Sequence, residues 1–194
     1  MAKTAILLTE FQKNWTDKGV FHQLIKREYH RKNVLIHTKE LLAVARENQN
    51  VIIHAPLIID KTDKYRYPKT PFPARLFRQL AKGTWKAEFT DGIYAEGDIV
   101  ATGRSGYDCC VDSNLVQLLK ENKIKNVVLC GFTTENCVKE TMIELQIQGF
   151  NCVIATDCTA ALTAASQQKV EKQLQSSSNE LLYSFLKENG KDLE

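Results

Sequence analysis

The 194-residue chain predicts an α/β fold, a single domain with a mostly parallel central sheet and helices on both faces. Three observations carry that prediction. Short apolar runs recur without polar alternation, as strands buried on both faces require. Segments of helical apolar spacing separate these runs, so successive strands are joined by right-handed crossovers and lie parallel. No linker, repeat or composition shift divides the chain, and its length suits one core.

Ala5 to Thr9 reads as the first buried strand. His30 to Gln49 carries Val34, Leu35, Leu41, Leu42 and Val44 at helical spacing, and Val51-Ile52-Ile53 is the second strand. The stretch from Ile58 to Arg75 contains Pro68, Pro71 and Pro73 among charged residues and reads as a long irregular loop. Loops of that length commonly act as lids or interface segments. Asp98 to Ala101 forms the third strand, Ser113 to Glu121 a helix and Asn126 to Cys130 the fourth strand. Glu135 to Gln148 is helical, and Asn151 to Ala155 is the fifth strand. Gln167 to Leu186 reads as helix with a break around Ser176-Ser177-Ser178.

Hydrophobic residues make up 43% and charged residues 25%, ordinary values for a globular chain. A net charge of +3, with no basic cluster interleaved with aromatics, argues against a nucleic-acid partner. Lys120, Lys123 and Lys125 read as the solvated end of a helix and its turn. The six cysteines include no Cys-x-x-Cys pair, and no histidine stands at ligand spacing from them. Neither a disulfide framework nor a metal site is expected. No apolar run is long enough to span a bilayer, and Met1-Ala2-Lys3 leads directly into a strand. The expectation is a cytoplasmic protein with reduced thiols, no membrane partner and no cofactor.

In open α/β sheets, ligands bind outside the carboxyl ends of the strands. Three reactive residues fall there: Glu10 after the first strand, Arg104 after the third and Cys137 after the fourth. Cys137 follows the run Val127 to Cys130, the turn at Gly131, and Thr133-Thr134. Its place in the first turn of a helix favours a thiolate and gathers backbone N–H groups able to hold an oxyanion. The plainer readings are a small inert buried cysteine, a solvated strand end for Glu10 and a surface turn for Arg104.

The segment Gly131-Phe132-Thr133-Thr134-Glu135-Asn136-Cys137-Val138 resembles the nucleophile motif of the isochorismatase-like cysteine hydrolases. Ala5 to Gln12 is similar to that family's first strand, and Gly83-Thr84 to the segment before its third. Gly103 to Leu115 is similar to the segment that carries its lysine, and Gly149-Phe150 with Thr156 to Ala161 to its last strand and turn. The resemblance covers most of the chain in the right order and implies a Rossmann-like fold. It assigns Cys137 as nucleophile, Glu10 as acid and base, and Arg104 as cationic partner. It also implies a cis peptide at Phe132–Thr133, aiming the N–H groups of Thr133 and Cys137 at an oxyanion.

Two residues depart from the family pattern. Glu10 stands where the family has Asp, and Arg104 where it has Lys. Glutamate adds a methylene, and a displacement of about 1 Å can lower a rate on the order of a hundredfold. Arginine keeps the charge but does not exchange protons, and its fork could grip Glu10 bidentately and weaken it as a base. Trp15, Trp85 and Tyr107 are candidates for the pocket wall, or else plain packing. Family nicotinamidases bind a metal through histidines after the second strand. Ile58 to Asp63 contains none, and His54 reads as a core or edge residue, so no metal is expected.

These residues imply a hydrolase acting on a small-molecule amide, ureide or imide. A member that has lost catalysis and binds or scaffolds is the first alternative. An isochorismatase-type vinyl ether hydrolase, which does not need the thiol, is the second. Family members are commonly homo-oligomers, and the same is expected here.

Overall fold

The computed structural model describes residues 3–60 and 78–187. Six strands form one sheet: β1 (Lys3–Thr9), β2 (Val51–Ala55), β3 (Ile99–Val100), β4 (Ile124–Phe132), β5 (Asn151–Ala160) and β6 (Ser176–Ser177). All adjacent pairs are parallel, in the order β3-β2-β1-β4-β5-β6. The helices are α1 (Lys13–Thr16), α2 (Val20–Arg31), α3 (Val34–Glu47), α4 (Leu115–Glu121), α5 (Lys139–Ile147), α6 (Ala164–Gln173) and α7 (Asn179–Lys187). The chain winds outward from β1 through β2 to β3, then returns to start β4 on the other side of β1. The switch point lies between β1 and β4, where a crevice opens at the strand ends.

Two cores flank the sheet, and the period-two alternation of the strands assigns residues to them. Ile6, Leu8, Val128 and Cys130 face a layer made by Phe21 and Ile25 of α2, Leu41 and Leu42 of α3, and Leu182 of α7. Ala5, Leu7, Val127 and Leu129 face the other layer, made by Leu115 of α4, Met142 of α5 and Val170 of α6. Burial on both faces is why β1 and β4 read as continuous apolar runs.

The sequence places one helix from His30 to Gln49, but the structure has two. Asn33 adopts φ 48°, which ends α2 and redirects the chain into α3. Asparagine tolerates that left-handed conformation better than most residues. α2 was absent from the sequence reading. The expected break near Ser176 is present, and it holds β6, whose Ser176 and Ser177 pair with Ile154 and Ala155. The expected loop from Ile58 to Arg75 falls mostly outside the described residues. On either side of it, the Ile59 N–H donates to the Leu80 carbonyl and the Lys82 N–H to the Ile59 carbonyl.

One glycine is dictated by packing. Gly131 has φ 119°, and a Cβ there would lie 1.9 Å from the Thr9 carbonyl oxygen. Only glycine lets the ends of β1 and β4 approach so closely. Beside it the β4–β5 register jumps from Leu129–Ile154 to Gly131–Thr159, a bulge that bends β5 at the crevice.

Candidate active site

β1 ends at Glu10, whose backbone takes the left-handed φ 58°. A non-glycine residue held there stores strain that the surrounding structure must enforce. Gln12 anchors the exit from the strand. Its side-chain amide donates to the Leu57 and Ala87 carbonyls at 3.2 and 3.1 Å, and its oxygen accepts from the Leu57 N–H at 3.2 Å.

Glu10 and Arg104 are both buried, at 2% and 5% exposure, so neither is a solvated strand end or a surface turn. Arg104 Nη2 donates to Glu10 Oε1 at 2.6 Å. The pair is not bidentate, as the sequence reading had allowed. The other arginine bonds go to main-chain carbonyls: Nε to Gly106, Nη1 to Ala55 and Nη2 to Tyr107, at 3.0, 3.0 and 2.8 Å. The end of β2 and the loop at Gly106-Tyr107 thereby fix the guanidinium, which a lysine ammonium could not match with the same planar fork. Burial opposes its charge, yet the acidic groups Cys109, Glu10 and Cys137 keep its pKa above the arginine norm.

The second oxygen of Glu10 accepts from Trp15 Nε1 at 2.8 Å. The indole is clamped between Phe21 and Phe132, with ring centroids 4.6 and 5.9 Å away. Both oxygens of the longer acid are therefore oriented, one by a charge and one by a neutral donor.

Cys137 lies in a wide π-type turn, Thr134–Val138, that leads into α5. The preceding Phe132–Thr133 peptide is cis. The thiol is 5% exposed, and its pKa is well above the ordinary value. Burial is the main cause and the Glu10 charge adds to it, while Arg104 opposes both. This corrects the thiolate expected from the helix terminus: desolvation outweighs the terminus. The thiol rests protonated beside a carboxylate that can act as its hydrogen-bond acceptor.

A pH experiment follows. Iodoacetamide should label Cys137 at pH 7 more slowly than it labels glutathione. The rate should climb through a midpoint above 9, because the protonated form persists until pH passes the raised pKa. Peptide mass mapping gives the rate, and a midpoint below 8 would contradict the burial argument.

A cavity of about 350 Å³ opens onto this cluster and is lined by Glu10, Trp15, Tyr107, Thr133, Asn136 and Cys137, with apolar side chains above them. Burial, followed by the charges of Cys137 and Glu10, pushes the Tyr107 phenol up to about 12. Trp15 and Tyr107 line the cavity, and Trp85 does not. Trp85 is 39% exposed, with the ammonium groups of Lys18 and Lys86 about 6 Å from its ring. The sequence reading also missed the wall supplied by Val20, Phe21 and Leu24. The signal was there, since Val20, Phe21, Leu24, Ile25 and Tyr29 recur at helical spacing.

The donor set does not fit a metal. His54 is buried, with Nε2 2.9 Å from Asp98 Oδ2, and Arg46 donates to the same oxygen at 2.8 Å. Phe89 and Tyr94 pack on the imidazole. Its pKa is lowered, by burial first, with Asp98 opposing. Among the described residues, no group of His, Cys, Asp and Glu is arranged to hold an ion, and no helix is long and apolar enough to cross a membrane.

A doubly wound parallel sheet thus brings a buried cysteine, carboxylate and cation together near its switch point. The chain belongs to the isochorismatase family: the Isochorismatase domain matches residues 4–183. It is an isochorismatase-family hydrolase. A probable inactive nicotinamidase of Arabidopsis thaliana is 23% identical over 164 residues, covering 82% of each chain. Maleamate amidohydrolase of Pseudomonas putida is 20% identical over 167 residues, covering 80% of this chain and 71% of that protein. In fold, the chain is similar to a cysteine hydrolase from Pseudomonas syringae pv. phaseolicola 1448A. The TM-score is 0.83 at 16% identity, covering 96% of this chain and 93% of that one.

Proposed function

We propose that the protein is a cysteine hydrolase that cleaves the C–N bond of a small amide, ureide or imide through an acyl-enzyme at Cys137. The observation that carries this reading is that Cys137 and Glu10 line one cavity, with the buried Arg104 guanidinium paired to that carboxylate. The substrate carbonyl enters beside Cys137, and Sγ attacks its carbon as Glu10 takes the thiol proton. The N–H groups of Thr133 and Cys137 receive the oxyanion. The C–N bond then breaks, Glu10 passes the proton to the departing nitrogen, and a thioester remains. Water adds to the thioester while Glu10 takes its proton; the thiolate leaves and is reprotonated. Arg104 orients Glu10 through both halves and exchanges no proton.

Because the thiol rests protonated, the attacking species forms only with substrate in place. Vinyl ether hydrolysis would leave Cys137 without a role. The reading also takes the protein to be a cytoplasmic homo-oligomer with a small-molecule substrate.

One observation favours a second reading. Both oxygens of Glu10 are already engaged, by Arg104 and Trp15, which leaves fewer of its lone pairs open toward the thiol. A silent member that binds ligand without turning it over would have this arrangement, and the Arabidopsis relative is named as probably inactive.

A screen of small amides, ureides and imides, quenched in acid and read by intact mass, separates the two. Hydrolysis should appear together with an acyl adduct on the peptide containing Cys137. Folded protein showing neither turnover nor adduct across the panel would select the silent reading.

A further inference from the structure

We propose that the cavity selects an uncharged substrate with an apolar body, and that it rejects amides carrying a carboxylate. The proposal rests on the amide-hydrolase reading and deepens it. The upper wall is Trp15, Val20, Phe21, Leu24, Leu57 and Leu162. Val20, Leu24 and Leu162 remain 46%, 48% and 42% exposed, so an apolar ligand would remove from water the surface that the fold leaves wet. Polar groups sit only at the floor, where Tyr107, Thr133 and Asn136 surround the nucleophile. They suffice for one amide head. Above them, no lysine, arginine or histidine among the described residues lines the cavity.

The charge balance at the floor gives the same answer. Arg104 is the cation nearest the nucleophile, but its donors are committed to Glu10 and to the Ala55, Gly106 and Tyr107 carbonyls. Its charge is matched by Glu10 at 2.6 Å, so an anion in the cavity meets no unpaired cation among the described lining residues. A substrate carboxylate would lose its hydration against leucine, valine and phenylalanine without a compensating partner. The volume of about 350 Å³ lies at the small end of ligand pockets, which limits the body to a short branched chain or a single ring.

Two amides of equal length test this: valeramide and glutaramate, which differ in a terminal methyl against a terminal carboxylate. In NMR titrations of the Cys137→Ala variant, valeramide should bind at least about thirtyfold more tightly. Leu24→Lys, added at the half-exposed rim, should reduce that ratio at least about tenfold by supplying the missing cation. Equal or tighter binding of glutaramate would overturn the proposal, as would a ratio unmoved by Leu24→Lys. Wild-type turnover separates the two levels of inference. Turnover of glutaramate in preference to valeramide overturns the selectivity and leaves the hydrolase. The expected binding ratio with no turnover of any amide upholds the selectivity of the cavity and overturns the hydrolase.

Discussion

Replacing Cys137 by alanine should lower kcat on any amide substrate by at least about 10⁴-fold, while unfolding free energy changes by only about 1 kcal/mol. The two magnitudes differ because the sulfur does two separate things. As a buried atom at 5% exposure it fills little more than a methyl's volume, and its removal forfeits only a small amount of packing. As the proposed nucleophile it would form the bond to the substrate carbon, which no neighbour can replace. Glu10 could in principle activate a water directly in the variant. That path lacks the thioester and leaves only the residual catalysis of positioning and the oxyanion site. Steady-state kinetics alongside urea unfolding checks both figures. A variant that keeps a tenth of wild-type turnover would remove Cys137 from the mechanism.

Replacing Arg104 by methionine should destabilise the fold by about 3–5 kcal/mol, the range for removing one partner of a buried ion pair. Glu10 would be left at 2% exposure with only Trp15 to offset its charge, and three main-chain carbonyls would lose their donor. The double variant Glu10→Gln with Arg104→Met should recover part of the loss, because the stranded charge is gone. It should not recover all of it, because the Ala55, Gly106 and Tyr107 carbonyls remain short of a partner. Arg104→Lys should fall between wild type and methionine, since an ammonium keeps the charge without the fork. Urea midpoints for wild type, Glu10→Gln, Arg104→Met and the double variant complete a double-mutant cycle, with an expected Glu10–Arg104 coupling of at least about 1.5 kcal/mol. A loss below about 1 kcal/mol for Arg104→Met would mean that the pair is effectively solvated.

The sheet was legible in the sequence because β1, β2, β4 and β5 are buried on both faces, which writes them as apolar runs. β6 was not legible: Ser176 and Ser177 form a strand only because Ile154 and Ala155 offer them an open edge. α2 carries the right spacing, but charged residues are interleaved through it and Asn33 hides its end, so the helix that builds the cavity wall went unread. Trp15 and Trp85 look alike as letters. One is clamped between two phenylalanines over Glu10, and the other lies near two lysines at the surface.

The sequence by itself determined the order of β1 to β5, the reactive residues that follow β1, β3 and β4, and the substitutions of Glu10 and Arg104. These are local properties, carried by periodicity and by residue type. Only the tertiary structure decided that the thiol rests protonated, that the guanidinium is held by one carboxylate and three carbonyls, and that no cation among the described residues lines the cavity. Those outcomes depend on desolvation and on contacts between residues as far apart as Glu10 and Arg104. Burial and partner geometry are set by the packed whole, so no stretch of sequence contains them.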